Sequence, residues 1–140
     1  MRYSASALVP RDAETVQAVL TDVGHLATWN PAFSSFHATG TAEAGKEYRA
    51  VVRGIAPVTL TFNQLESGDI SYTLRGLGST ERGRWISRPA RGGTEVTHSF
   101  EHSGLLLMLM HNAFVRVAEW RLGRLREQAL KAKPKRETQP

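Results

Sequence analysis

Residues 94–114, TEVTHSFEHSGLLLMLMHNAF, change their period in the middle. Val96, His98 and Phe100 alternate with Thr97 and Ser99, the repeat of two that a half-buried strand shows. After Gly104 the repeat becomes 3.6. Leu107, His111, Phe114, Ala118, Leu122 and Leu125 step by three or four along one face, with Asn112, Arg116, Glu119 and Arg126 opposite. The spacing predicts one amphipathic helix from Leu105 to about Lys131, about 40 Å long at 1.5 Å per residue.

Upstream of this junction the strand signals continue back to Phe33. FSSFHATG, KEYRAVVRG, PVTLTFNQLESG, DISYTLRG and STERGRWISRP are separated by glycine turns. Val58, Leu60 and Phe62 face one way against Thr59, Thr61 and Asn63. Ile70, Tyr72 and Leu74 do the same against Ser71, Thr73 and Arg75. Turns as short as Ser67-Gly68 and Gly92-Gly93 join strands only as antiparallel hairpins, so the strands form a meander. Tyr3 to Val9 adds a seventh strand, at an edge and stopped by Pro10. Asp12 then offers an N-cap to a short helix, Ala13 to Leu20.

A helix is about 10 Å across and strands lie about 4.8 Å apart, so one helix covers only two or three strands of a flat sheet. Seven strands with a common apolar face must curl round it. Such a curl either packs solid or leaves a pocket between helix and concave face, and the pocket is the expectation here, roomy enough for a bicyclic molecule.

Three stretches carry a family resemblance: SALVPRDAETVQAVLTDVGHLATWNP, GGTEVTHSF, and LGRLREQAL in the terminal helix. They resemble the polyketide cyclase/dehydrase-like branch of the START-related helix-grip superfamily, also called SRPBCC, over nearly the whole chain. The matching features are Val19, Leu20 and Asp22 near the end of the first helix, Trp29 to Pro31, and Gly-Gly-Thr-x-Val before the last strand. Gln17 departs from the pattern, since relatives carry an aromatic there. The resemblance implies an α+β helix-grip domain over residues 1–131, with a curved seven-stranded antiparallel sheet around a long C-terminal helix and two short helices after the first strand. Residues 132–140 would be a basic tail. It also implies that Val23 to Thr28 is the second short helix, and that Trp29 and Phe33 stand at the rim between the helical V and the open end of the sheet.

Several side chains aimed at the interior could serve a site. Glu81 shares its phase with Gly83, Trp85 and Ser87, so it points inward; it is either paired there, held with a raised pKa as general acids are, or reaching water from the strand end. His98 and His111 sit among apolar neighbours, as hydrogen-bonded core residues or as proton carriers. Tyr48 and Tyr72 offer hydroxyls. A ring-containing ligand would lie among Trp29, Phe33, Phe36, Phe62, Tyr72, Trp85, Phe100 and Phe114, with Tyr48 and with Ala118 on the helix stripe. Glu95 and Glu101 point outward.

Other chemistries lack their signatures. The 140 residues hold no Cys, and no Gly-x-Ser-x-Gly elbow. GLGST lacks the lysine of a phosphate loop. His98 and His102 are four apart, about 13 Å along a strand, which is too far to share one ion, so no metal is expected. Nothing in the motif set calls for a cofactor.

The net charge is +5, but residues 116–137 hold eight Lys or Arg against three Glu, leaving ten basic and ten acidic residues in 1–115. A neutral body with a basic end speaks for a solvated terminus and against a nucleic-acid surface. The longest apolar run, Leu105 to Met110, is far short of the about 20 residues of a membrane span. The amino terminus has no signal-like apolar core, and a cytoplasmic location is the expectation.

The leading functional expectation is a protein that holds a small hydrophobic, ring-containing or lipid-like ligand in an internal cavity. The resemblance adds an alternative, a polyketide cyclase or aromatase moving protons with His or Glu in the same cavity. A further alternative is a protein-interaction module of the chaperone-activator type, using the outer sheet face and the basic helix. Trp120, near the polar side of the helix, offers itself as a homodimer contact.

Overall fold

A computed structural model of the chain describes residues 1–52, 56–76 and 78–132. The basic tail lies, apart from Ala132, outside the described residues. Seven strands form one antiparallel sheet: β1 (Arg2–Val9), β2 (Phe33–Phe36), β3 (Glu47–Val52), β4 (Ala56–Glu66), β5 (Asp69–Gly76), β6 (Ser79–Ala90) and β7 (Gly93–Ser103). Their order, β1-β7-β6-β5-β4-β3-β2, is the meander the glycine turns demand, with β1 closing one edge against β7. Gly68 and Gly92 turn at φ 79° and 87°.

Burial follows the alternation read from the sequence. On β6 the inward set is Ser79, Glu81, Gly83, Trp85 and Ser87, while Arg82, Arg84 and Arg88 face out. On β7 it is Thr94, Val96, His98, Phe100 and His102. The outer face carries ion pairs instead, Arg84 with Asp69 at 2.8 Å and Arg2 with Glu101 at 2.7 Å. Being solvent-exposed, they contribute little to stability.

After β1, α1 (Ala13–Thr21) has Asp12 at its N-cap position, but the Asp12 carboxylate caps no backbone N–H and instead accepts from Thr15 Oγ1. A 3₁₀ turn (Val23–His25) and α2 (Leu26–Trp29) complete the V. Gln17, the departure from the family pattern, has a local duty. Its amide donates to Glu66 O at 3.2 Å and accepts from Gly68 N at 3.3 Å, tying α1 to the β4–β5 turn.

The long helix is not continuous. It divides into α3 (Leu105–Leu109), α4 (His111–Phe114) and α5 (Val117–Lys131). Two side chains occupy carbonyls that a straight helix would use: His111 Nδ1 donates to Met108 O at 3.3 Å, and Tyr3 Oη donates to His111 O at 3.4 Å. Gly104 makes the corner into α3 at φ 104°, where a Cβ would lie 2.7 Å from Ser79 Oγ. α5, 15 residues and about 22 Å long, is the segment the sheet grips along its buried stripe. It buries Val117, Ala118, Arg121, Leu122, Leu125 and Ala129. Its C-terminal carbonyls are capped by Arg11, whose Nη1 donates to Ala132 O at 2.7 Å and also to Ala129 O. α3 buries none of its residues, and Leu105 and Leu109 are each 74% exposed.

Candidate functional site

The strand phase of β6 and the stripe of α5 bring opposite charges together in the core. Arg121 lies three residues after Ala118 and four before Leu125, so its side chain must enter with them. It meets Glu81. The Nη1 of Arg121 donates to Glu81 Oε2 at 2.8 Å and its Nη2 to Oε1 at 3.3 Å, with both side chains no more than 5% exposed. Tyr72 Oη donates to Oε2 at 2.5 Å, and His102 Nε2 to Oε1 at 2.8 Å. Two oxygens thus accept four hydrogen bonds, which uses the whole acceptor capacity of a carboxylate.

This sets the protonation states. Burial pushes the Glu81 carboxyl up, but the Arg121 charge and the hydrogen bonds from His102, Arg121 and Tyr72 outweigh it and hold the group well below the usual carboxylate range. Glu81 is therefore neither reaching water nor a raised-pKa acid. Burial, and then the Glu81 charge, push the Tyr72 hydroxyl well above its usual value, so it stays a donor. His98 is neutral: burial, then Arg121, push it down to about 3. Its Nδ1 donates to Arg84 O at 3.0 Å and its Nε2 accepts from Arg121 Nη1 at 3.3 Å. With both nitrogens engaged, and its ring stacked on Trp85 at 3.7 Å, His98 has no free lone pair for a substrate proton. Arg121 itself lies over the Phe100 ring, 4.6 Å from Cζ to centroid.

Beside this cluster is an apolar cavity of about 140 Å³. Val52, Val58, Leu74, Leu107, Phe114 and Val117 are among its apolar wall residues, and Ser79, Glu81 and Arg121 add a hydroxyl and two charged groups. A narrow annex of about 20 Å³ shares Ala32, Leu74, Glu81 and Arg121 with it, and continues between Trp29, Phe33, Phe62, Tyr72 and Trp85. The space, open to solvent past Leu106 and Trp120, suits one ring and is well under the roughly 300–1,000 Å³ of a typical ligand pocket. The expected bicyclic room is absent because the aromatics fill it. Trp29 meets Trp85 edge-on at 5.7 Å, both in the wall of the annex.

Of the residues expected around a ligand, Phe114 lines the cavity, and Trp29, Phe33, Phe62, Tyr72 and Trp85 line the annex. Trp29 is 2% exposed, so it is a core residue rather than an open rim. Phe36 and Tyr48 pack together at 6.0 Å away from both spaces, and Tyr48 Oη accepts from Glu43 N at 2.9 Å. Phe100 and Ala118 belong to a separate cluster with Tyr3 and Val117. His111 is spent on the break between α3 and α4. The sequence reading did not place Arg121 or Ser79 at the site, weighed His102 only as a metal ligand, and left out the apolar wall residues Val52, Val58, Leu74, Leu107 and Val117. Arg121 could have been found as a charge inside the apolar stripe, and His102 as the next inward position after His98 and Phe100.

One consequence is measurable. Glu81 and His98 both titrate in the folded protein below their ordinary values of 4.5 and 6.5. As pH falls through 6.5 the unfolded chain takes up a proton at His98 that the native chain refuses until about 3, and below 4.5 the same holds for Glu81. Stability present above pH 6.5 is thus lost on acidification, by up to about ten-fold in the folding constant per pH unit for each group. Urea unfolding between pH 6.5 and 4.5 should show this slope, and His98→Gln should flatten it; equal slopes in the two proteins would contradict the assignment.

Comparison with known proteins bears on what this architecture is for. The model of the family described as polyketide cyclase/dehydrase and lipid transport matches residues 1–131. The chain belongs to that family. No curated protein matches the sequence significantly. Among solved structures, family-like folds recur at low identity. A protein from Thermus thermophilus is 18% identical, with 96% of this chain and 100% of that one covered at a TM-score of 0.75. One from Chromobacterium violaceum is 16% identical, covering 91% and 96% at 0.72. Norcoclaurine synthase from Thalictrum flavum, in complex with dopamine and hydroxybenzaldehyde, is 14% identical, covering 96% and 89% at 0.72. These likenesses make the fold a helix-grip fold. No described helix is long and apolar enough to cross a membrane.

Proposed function

We propose that the chain binds a small, mostly apolar ligand with one ring in the cavity between α3–α5 and the concave sheet. The observation that carries this reading is the apolar hollow of about 140 Å³ with a self-neutralised Glu81–Arg121 pair in its wall. Shape and desolvation would supply the affinity, and the exposed Leu106 and Trp120, which line the cavity, would cover any part of a larger ligand that projects from its mouth. That norcoclaurine synthase holds two single-ring compounds on this fold is in keeping with it.

The same family membership supports a second reading, a cyclase or aromatase that closes a reactive polyketone. The commitment of both His98 nitrogens and all Glu81 lone pairs favours binding over proton transfer. If Glu81→Gln, His98→Ala and His111→Ala all leave turnover of candidate polyketones undiminished, the catalytic assignment falls.

Native mass spectrometry of protein purified from its own host tests the binding reading through a co-purifying compound. Leu74→Trp, which turns bulk from the sheet into the cavity, should release that compound, at a stability cost of about 1–3 kcal/mol. Retention of the compound by Leu74→Trp would place it elsewhere.

A further inference from the structure

Along the outer side of α5 runs a shallow groove lined, among the described residues, by Arg116, Glu119, Trp120, Gly123, Arg124 and Glu127, all of them exposed. Their spacing of three and four places them on one helix face. Trp120 N donates to Arg116 O at 3.1 Å, so Arg116 belongs to the first turn. Two arginines and two glutamates cancel, and an anionic lipid or nucleic-acid surface would meet as much repulsion as attraction there. The charges are nonetheless ordered. Arg116 and Glu127 are eleven residues apart, about three turns, so they stand on one line of the helix, about 16 Å from each other, with Trp120 and Gly123 between them.

Nothing within the described chain requires the glycine. A Cβ built on Gly123 meets no atom within 4 Å, and its backbone is ordinary helix, where glycine is the weaker choice. What glycine provides is room for a neighbour to approach closely. Trp120, 45% exposed, lines both this groove and the cavity described above.

We propose that this stripe docks a second copy of the chain, with the two α5 helices antiparallel about a two-fold axis level with the Arg121–Leu122 peptide. That axis sets Arg116 opposite the second copy's Glu127 and Glu127 opposite its Arg116, and it brings each Trp120 beside the other copy's Gly123. A parallel pair would set arginine on arginine and glutamate on glutamate instead. Leu130, 47% exposed and one step further along the stripe, extends the contact toward the second copy's α4. Because Trp120 also walls the cavity, the second copy covers one side of its mouth.

Sedimentation equilibrium of the full chain at pH 7, with no compound added, should give a mass that rises with concentration from 15.5 kDa toward twice that value. Gly123→Gln removes a helix-weakening residue and so leaves folding intact; it should weaken the dimer at least about ten-fold by filling the space beside Trp120, and Trp120→Ala should do the same by deleting the anchor. Arg116→Glu and Glu127→Arg should each weaken self-association about ten-fold, since each sets like charges face to face at both ends. Mixed in equal amounts, these two variants should associate with each other at about the parental strength, because the mixed dimer pairs opposite charges at both ends. A monomer at every concentration, a dimer unmoved by Gly123→Gln and Trp120→Ala, or a mixture no stronger than its components would each overturn the proposal. So would binding of a monomeric chain to phosphatidylglycerol vesicles that Trp120→Ala abolishes, which would assign the stripe to a lipid surface. Association is read here without a ligand, so its failure leaves the binding reading, tested by Leu74→Trp, where it stands.

Discussion

Replacing Arg121 by Met should destabilise the protein by about 3–5 kcal/mol, the cost of leaving a buried charge without its partner. Glu81 would remain 4% exposed, with Tyr72 and His102 as donors but no cation. Its carboxyl would then rise toward protonation, because burial alone pushes it up. Adding Glu81→Leu should restore part of the loss, since it removes the uncompensated charge, while the buried Tyr72 hydroxyl and His102 Nε2 lose their acceptor. A urea-unfolding double-mutant cycle at pH 7 reads both effects, with an expected coupling of roughly 2–3 kcal/mol. Additive losses would mean that the two side chains do not depend on each other. Recovery in the double variant would also show that folding does not need the pair, which fits retention for the chemistry of the cavity wall.

Gly83→Ala is the second large effect. Gly83 faces Tyr72 directly across β5 and β6, and a Cβ there would run into the Tyr72 ring, which lies over it. The ring is buried and its hydroxyl is bonded to Glu81, so it cannot swing into solvent. Overpacking of this kind costs about 1–3 kcal/mol, and loss of the hydroxyl's bond adds roughly another 1 kcal/mol or more. Thermal unfolding should show the drop, and the Glu81-dependent loss of stability, which begins at the unfolded value of 4.5, should end at a higher pH and be smaller in total, because one donor that lowers the folded pKa has gone. A variant as stable as the parent would mean that Tyr72 has another resting place.

The strands were legible because their evidence is local. Period-two alternation placed Val96, His98 and Phe100, and likewise Glu81 and Trp85, on the concave face, where each is buried. The helix break was not legible. It depends on the Tyr3 hydroxyl reaching His111 O from 108 positions away, and on a histidine side chain taking a carbonyl, which periodicity cannot register. The site was half legible. Glu81 was placed inward from its phase, but its state depends on Arg121, 40 residues on and on a different element. A basic residue on a helix is ordinarily assigned to solvent. What marks this one is the coincidence of a cation in the apolar stripe of α5 and an anion in the apolar phase of β6. Cavity size escapes the sequence for a related reason: counting strands fixes the width of the groove, while the T-shaped Trp29–Trp85 contact decides how much of it is filled.

The proposed ligand space lies between the α3–α5 segment and the concave sheet. Methyl-labelled protein titrated with ethylbenzene, followed by two-dimensional NMR, tests it most directly. Shifts concentrated on Val52, Val58, Leu74, Leu107 and Val117, and abolished by Leu74→Trp, are the expected result. Shifts scattered over the exposed methyls of Leu8, Leu105 and Leu130 with those five unmoved, or a titration identical in Leu74→Trp, would contradict it.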